Sequence, residues 1–280
     1  MTHQPTIMNT DNQLSQYCYQ YPHAAITADC VIFGFDGEKL KILLIERGLE
    51  PYKGMWALPG GFMKINETIE QTAHRELAEE TGLQEIYLEQ FKVFSTVDRD
   101  PRERVVTVAF IALVRPGDYK LLAGDDASNA LWFDERYLPP MAFDHADIIL
   151  AARRHLAEII RIRPIAFKLL NKIFSMTELQ RVYEAINGTS YDRRNFQRKA
   201  IQTGLIEPTP TSNNCSYSVS DENYNSQLED CFDCSNEPDE DISLCKEKSR
   251  SPRARKKFFT FRKRSSDDNE EGSIKDIFNF

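Results

Sequence analysis

Gly61-Phe62-Met63-Lys64-Ile65-Asn66-Glu67-Thr68-Ile69-Glu70-Gln71-Thr72-Ala73-His74-Arg75-Glu76-Leu77-Ala78-Glu79-Glu80-Thr81-Gly82-Leu83 is the stretch that decides the fold of this chain. Thr68, followed three residues on by Gln71, marks a helix start with a reciprocal cap, and Gly82 marks its end, so a helix is predicted from Ile69 to Glu80. At about 100° per residue, Glu76 and Glu80 lie about 40° apart, with Glu79 about 60° to the other side, so all three carboxylates share one face. An ordinary solvated acidic face turns away from the apolar row. Here Ile69, Ala73 and Leu77 occupy the arc that contains Glu80, which presses the carboxylates toward the core. Half-buried anionic oxygens require a counter-charge, and a hard divalent cation with oxygen ligands, Mg²⁺ or Mn²⁺, supplies it. Pro59-Gly60-Gly61, just ahead of the helix, offers the close backbone approach that only glycine permits.

Outward from this helix, Ala24 to Phe35 and Lys39 to Arg47 read as two strands joined around Asp36-Gly37, a dipeptide suited to a tight hairpin. Gly48 to Gly61 reads as a loop. Further strands are predicted at Phe91 to Val97, Val105 to Val114 and Ala130 to Phe133, and a charged helix at Ala146 to Arg161, which stops before Pro164. Asp144 is the expected cap of that helix, and His145 beside it, like His74, is expected to serve packing or surface. Residues 165–207 read as three short helices, the middle one capped by Ser175 and Glu178, the last starting after Ser190 or Asp192 and stopping at Gly204; this spacing predicts a helix-turn-helix.

At 280 residues the chain has room for about two folded units, and its net charge of −8 gives no whole-chain basic footprint. The charge is divided, however: acidic residues gather in the helix above and around 221–247, basic ones at 193–199 and 250–264. No long apolar run or signal-type leader is visible, so a cytoplasmic protein with no membrane partner is expected. The organisation read from composition is a polar leader over 1–21, a first domain over 22–160, a second over 161–207 and 249–280, and an acidic insert over 208–248 too poor in apolar residues to order itself. The cysteines are expected to be reduced, and a zinc site from Cys215, Cys231, Cys234 and Cys245 has only one regular CxxC spacing behind it. Asp125-Asp126 reads as a turn.

Gly61-x5-Glu67-x7-Arg75-Glu76-Leu77-x-Glu79-Glu80-x-Gly82-Leu83 resembles the Nudix box at every position. Seven fixed residues at that spacing coincide by chance at a given start with odds on the order of one in 10⁸. The resemblance implies a Nudix α/β/α sandwich with a mixed sheet, and hydrolysis of a phosphoanhydride bond by in-line attack of water. It makes Glu76, Glu79 and Glu80 ligand and base candidates, the Gly61 carbonyl a further metal ligand, and Glu67, Arg75, Gly60 and Gly82 supports of the motif. Arg99-Asp100-Pro101-Arg102-Glu103-Arg104 resembles a segment of the ADP-ribose pyrophosphatase branch, with Glu103 where a glycine is expected; Arg99, Arg102 and Arg104 are then substrate-binding candidates.

Phe167-Lys168-Leu169-Leu170, Phe174 to Gln180 and Asp192 to Lys199 resemble the winged helix of the Nudix-related transcriptional regulators. That resemblance implies an α+β chain in which Arg193, Arg194, Gln197, Arg198 and Lys199 contact double-stranded DNA while Phe196 and Ile201 hold the helix in its core. It also implies a wing whose second strand is Arg253 to Arg262, with Arg253, Arg255 and Lys256 as DNA contacts, and a homodimer on a palindromic site. The function so predicted is a ligand-responsive DNA-binding regulator that binds, and still hydrolyses, an ADP-ribose-like nucleoside diphosphate. Two alternatives remain at this point: a metabolic Nudix hydrolase, favoured by the interrupted wing, and a non-catalytic sugar or nucleotide sensor, which has no need of the full glutamate set.

Overall fold

The computed structural model describes residues 21–121, 127–209 and 257–262. The first hairpin joins β1 (Ala25–Phe35) to β2 (Leu40–Arg47). The Asp36 carboxylate closes the turn by accepting the backbone N–H groups of Glu38 and Lys39 at 3.0 and 2.7 Å. Then come β3 (Trp56–Ala57), β4 (Gly60–Phe62), α1 (Ile69–Thr81), β5 (Glu89–Phe94), β6 (Val105–Val114), β7 (Ala127–Asp134) and α2 (His145–Ile162). The segment expected as a plain loop after Arg47 therefore holds β3 and the start of β4, which pair with β2 and β1. Strands of two and three residues carry no alternation to read.

One seven-stranded sheet runs β3-β2-β1-β6-β5, with β4 also on β1 and β7 also on β2. Among the described strands β1 and β6 pair in parallel and the other pairs are antiparallel, so the sheet is mixed. Both faces are buried, which explains why β1 and β6 read as nearly continuous apolar runs. Cys30, Ile32, Leu43 and Phe110 pack with Ala73 and Leu77 of α1. Their sequence neighbours Val31, Phe33, Ile42, Leu44 and Ile111 join Ile148, Ala152, Leu156 and Ile160 of α2 on the other face. The α/β/α sandwich follows from this period-2 division of each strand between two helices. Thr68 and Gln71 form the expected reciprocal cap, and Gly82 ends α1 at φ 75°, a left-handed conformation that costs glycine little.

Beyond α2 lie a 3₁₀ turn (Ile165–Leu169), β8 (Ile173–Ser175), α3 (Met176–Asn187), α4 (Arg193–Gln202), β9 (Ile206–Pro208) and β10 (Phe258–Phe261). The first of the three expected helices is thus a 3₁₀ turn followed by a strand, because Phe174 is drawn into a small sheet. That sheet has the order β8-β10-β9, so β10 pairs antiparallel with both its neighbours. Ser175 and Glu178 form the predicted reciprocal cap of α3, and Asp192 caps α4 by accepting the Asn195 N–H at 2.8 Å. Phe174, Leu179, Val182, Phe196, Leu205 and Phe259 belong to the same core cluster as the α2 face of the large sheet. In α4 it is Phe196 and Ala200 that are buried, whereas Ile201 is 49% exposed. The expectation of Ile201 in the core fails because Ala200 is the i,i+4 neighbour of Phe196 and Ile201 is rotated about 100° away.

Arg253, Arg255, Lys256, most of the acidic insert, Asp125-Asp126 and the four distal cysteines lie outside the described residues. Among the described residues no helix is long and apolar enough to cross a membrane.

Candidate functional site

The acidic face of α1 borders an open cleft of about 540 Å³, whose other walls come from β1, the end of β2, the Gly60–Phe62 strand, the 99–102 loop and the start of α2. Glu80 is only 9% exposed and accepts the Gly60 N–H at 2.8 Å. Burial, with the nearby charges of Glu76 and Asp29, pushes its carboxyl up to about 8, against the opposing Gly60 hydrogen bond. Glu76 is half-buried and likewise raised by burial, with Arg75 opposing. Glu79 differs, its side chain being 56% exposed at the rim.

Arg75 ties the motif together. Its guanidinium donates to both Glu67 oxygens at 2.7 and 2.9 Å, to Glu76 at 2.6 Å, to Glu79 at 3.0 Å and to the Phe62 carbonyl at 3.1 Å. The Arg75 hydrogen bonds hold Glu67 down to about 2, so the loop-to-helix clamp is ionised at any neutral pH. The glycines have steric reasons. A Cβ on Gly60 would meet the Ala28 carbonyl oxygen at 2.1 Å, and one on Gly61 would meet the Glu76 carboxylate at 2.5 Å. Gly60 also has φ 156°, which side-chain-bearing residues rarely adopt.

The expected substrate arginines fall in three different places. Arg102 lines the cleft, paired in a fork with Asp100 at 3.0 and 2.7 Å and lying over the rings of Phe62 and Phe143 at 5.0 and 5.6 Å. Arg99 also lines the cleft but is 8% exposed, donating to both Asp144 oxygens at 3.0 and 2.7 Å and to Asp29 at 3.4 Å. Burial lowers its affinity for the proton, but the Asp144 bonds and the Asp29 charge outweigh this and raise it overall. Arg104 is not part of the lining: its guanidinium is spent on the Ser95, Thr96 and Val105 carbonyls.

Several cleft residues escaped the sequence reading. Asp29 stands in the otherwise apolar β1, and that lone buried charge was the available signal. His145 lines the cleft, and its Nδ1 accepts the Leu58 N–H at 2.9 Å. Burial lowers its proton affinity, so the imidazole is neutral with its proton on Nε2, 3.8 Å from Asp29. Asp144, expected to cap α2, makes no cap bond and serves Arg99 instead. Arg47 lies over Phe143 at 4.9 Å, and Phe143 itself has φ 51°, a strained value for a bulky residue. His74 is exposed on α1, away from the cleft.

The oxygen-only donor set of Glu76, Glu79, Glu80 and the Gly61 carbonyl suits a hard divalent cation, and the protonated state that burial imposes on Glu80 is what a cation would reverse. Among the described residues no three carboxylate, imidazole or thiol groups are already gathered around one point, because Arg75 lies between Glu76 and Glu79. On α4, Arg193, Arg194 and Arg198 are exposed and Gln197 and Lys199 half-exposed, with Arg194 and Arg198 opposite the buried Phe196 and Ala200 and the other three flanking them.

A mixed-sheet sandwich with this helix clamped by Arg75 defines a Nudix domain, and the capped helix pair with its three-stranded sheet defines a winged helix. The Nudix domain model matches residues 23–152, and the NrtR DNA-binding winged helix domain model matches 166–216. The ADPR responsive transcriptional repressor NtrR of Acinetobacter baylyi is 35% identical over 195 residues, which cover 69% of this chain and 78% of that protein. The ADP-ribose pyrophosphatase of Methanocaldococcus jannaschii is 46% identical over 129 residues, covering 46% of this chain and 73% of that protein. Among solved structures, Shewanella oneidensis NrtR complexed with a 27mer DNA superposes with a TM-score of 0.56 at 30% identity, covering 69% of this chain and 90% of that one. The chain belongs to the NrtR-type family of Nudix-related transcriptional regulators.

Proposed function

We propose that this protein is a DNA-binding transcriptional regulator whose grip on its operator responds to an ADP-ribose-like nucleoside diphosphate held in the Nudix cleft. The observation that carries this reading is that α2, whose first residue His145 lines the acidic cleft, packs in the same hydrophobic core as Phe196 and Ala200 of α4, the helix with the exposed basic residues. Similarity to a repressor described as responsive to ADPR extends across both modules and supports it. In the cleft, Arg102 and Arg47 provide cations beside the Phe62 and Phe143 rings, a wall suited to phosphate together with a flat or sugar-like group. In α4, Arg193, Arg194, Gln197, Arg198 and Lys199 face outward for phosphate and base-edge contacts.

The cleft also retains the means of hydrolysis. A divalent cation, Mg²⁺ or Mn²⁺, held by Glu76, Glu79, Glu80 and the Gly61 carbonyl would supply charge neutralisation on the diphosphate. Glu80, buried on the acidic face and held by the Gly60 N–H, is also the general-base candidate. Arg75 and Glu67 hold the helix to the glycine loop, and Arg102 orients the diphosphate. His145 ties the cleft floor to Leu58 through its Nδ1 and faces Asp29 with its Nε2. A homodimer in the cytoplasm acting on a palindromic site completes the proposal.

The test is binding of the full chain, by fluorescence anisotropy, to duplexes selected from a random-sequence pool, with and without ADP-ribose. Nanomolar, sequence-selective binding weakened by ADP-ribose is the expected result. No selective duplex binding would leave a metabolic hydrolase as the better reading, to which the 46% identity of the Nudix half to a pyrophosphatase points.

A further inference from the structure

Helix α2 touches the ligand cleft at one end and the helix-turn-helix further along. At the cleft, its first residue is His145 and its N-cap position is Asp144. Asp144 stands there with φ −97° and ψ 21°, not the extended backbone of a working cap, and its side chain caps no N–H of the helix. Both of its oxygens instead hold Arg99, which lines the cleft. Asp144 thus has two mutually exclusive partners for its side chain: the Arg99 guanidinium, and the Ala146 N–H in the first turn of α2, where the His145 and Asp147 N–H groups are already held by the Ala142 and Asp144 carbonyls. An anion entering the cleft competes for Arg99, and a released Asp144 gains the cap only by rotating its backbone, which moves the start of α2.

Eight residues on, about 12 Å along the helix axis, Arg153 leaves α2 for the helix-turn-helix. Its guanidinium donates to the carbonyls of Ile186 and Ala185, the latter at 2.8 Å. These are orphan acceptors of the last turn of α3, so Arg153 is a cation placed on the negative end of that helix by another part of the fold. Its Nε is fixed by Glu135, just past β7, at 2.6 Å. The turn that follows α3 is braced in its own right: Glu184 accepts from Gln180 and from the Tyr191 N–H, and Gln180 donates to the Tyr191 carbonyl. Asp192 then caps α4 directly. Whatever displaces the end of α3 carries α4 with it.

We propose that Arg153 is the coupling residue of this protein: it transmits the Arg99–Asp144 state of the ligand cleft, through α2, to the turn that sets the recognition helix. This rests on the regulatory reading above and names its route. Arg153 touches neither ligand nor the outward face of α4, so its loss should uncouple two sites that each still work.

The test uses the full chain, a fluorescein-labelled duplex selected with the ligand-free protein, and the α,β-methylene analogue of ADP-ribose, in which the bridging oxygen is replaced by carbon. Four constants are measured: duplex Kd with and without the analogue, and analogue Kd with and without duplex, which linkage requires to change by the same factor. In the parent, the analogue should weaken duplex binding at least about tenfold, within the usual span of allosteric coupling. In Arg153→Met, each single-ligand Kd should stay within about threefold of the parent while the coupling factor falls below about twofold. Retention of the tenfold factor overturns the proposal, and so does a large loss of duplex affinity in the ligand-free variant, which would make Arg153 structural only. Glu135→Ala keeps the Arg153 bonds to α3 but removes the acceptor that ties it to the sheet, and should reduce the factor; an undiminished factor there also overturns it. A parent that binds both partners with no coupling defeats the regulatory reading itself, and this inference with it.

Discussion

Helices α1 and α4 look alike as sequence: each is short, side-chain capped and dense in one sign of charge. They differ in where the charge lies relative to the apolar row. In α1 the row and the carboxylates overlap, so Glu80 is buried and meets fixed partners within hydrogen-bond reach. In α4 the row is only Phe196 and Ala200, and Arg193, Arg194 and Arg198 stand in solvent. Buried charge is governed by desolvation and by what comes to neutralise it, and exposed charge by long-range attraction that salt screens. One helix is built for chemistry at a point and the other for adhesion to a charged surface.

The sharpest way to break that contrast is at Glu80. Glu80→Gln preserves volume and an acceptor for the Gly60 N–H but removes the charge a cation would meet. Divalent-dependent hydrolysis of ADP-ribose, followed as phosphate-ester release, should fall about 10³-fold. Turnover within a few-fold of the parent would mean that burial of this carboxylate has nothing to do with catalysis.

A smaller effect should show in the metal-free protein's stability. The folded pKa of Glu80 is about 8, against an ordinary value of 4.5. Below pH 4.5 the proton is bound in both states; as pH rises through the window toward 8, the unfolded chain releases it first and the folded state loses stability. Urea unfolding with chelator at pH 5 and pH 8.5 should reveal a loss of roughly 3 kcal/mol that Glu80→Gln does not share. An identical pH slope in the two proteins would assign the loss to other groups.

The contrast between the helices was legible in the sequence because both are local. Periodicity placed Glu76, Glu79 and Glu80 on one face, and Thr68, Ser175 and Asp192 announced their helices through capping chemistry that spans three residues. What was not legible is what the sheet brings together. Arg99 meets Asp144 and Asp29 across 45 and 70 positions, and no spacing rule connects them. The arginine run 99–104 was visible as a cluster, yet its three members point to a buried ion pair, a cleft wall and a set of loop carbonyls. Ile201 was misplaced for a subtler reason. The resemblance put it in the core with Phe196, but the residue one turn from Phe196 on the buried side is Ala200. The pairing of Ile206–Pro208 with Phe258–Phe261 likewise depends on register across an acidic stretch rather than on anything in that stretch.

The last prediction sharpens the comparison from the α4 side. Arg194→Ala with Arg198→Ala removes two exposed cations while leaving Phe196, Ala200 and the Asp192 cap in place. Each phosphate deprived of its neutralising cation should lower the slope of log K against log salt by about 0.9, so the double variant should lose about 2 units of slope and roughly tenfold in affinity near physiological salt. Arg102→Ala is the control: one guanidinium charge is removed, but from a side chain already paired with Asp100 in the cleft. Its duplex salt slope should be unchanged. Equal slopes for all three proteins would show that α4 does not lie against phosphate, whereas a reduced slope in Arg102→Ala as well would show that the DNA surface reaches round to the Nudix cleft and that the two helices share one electrostatic field.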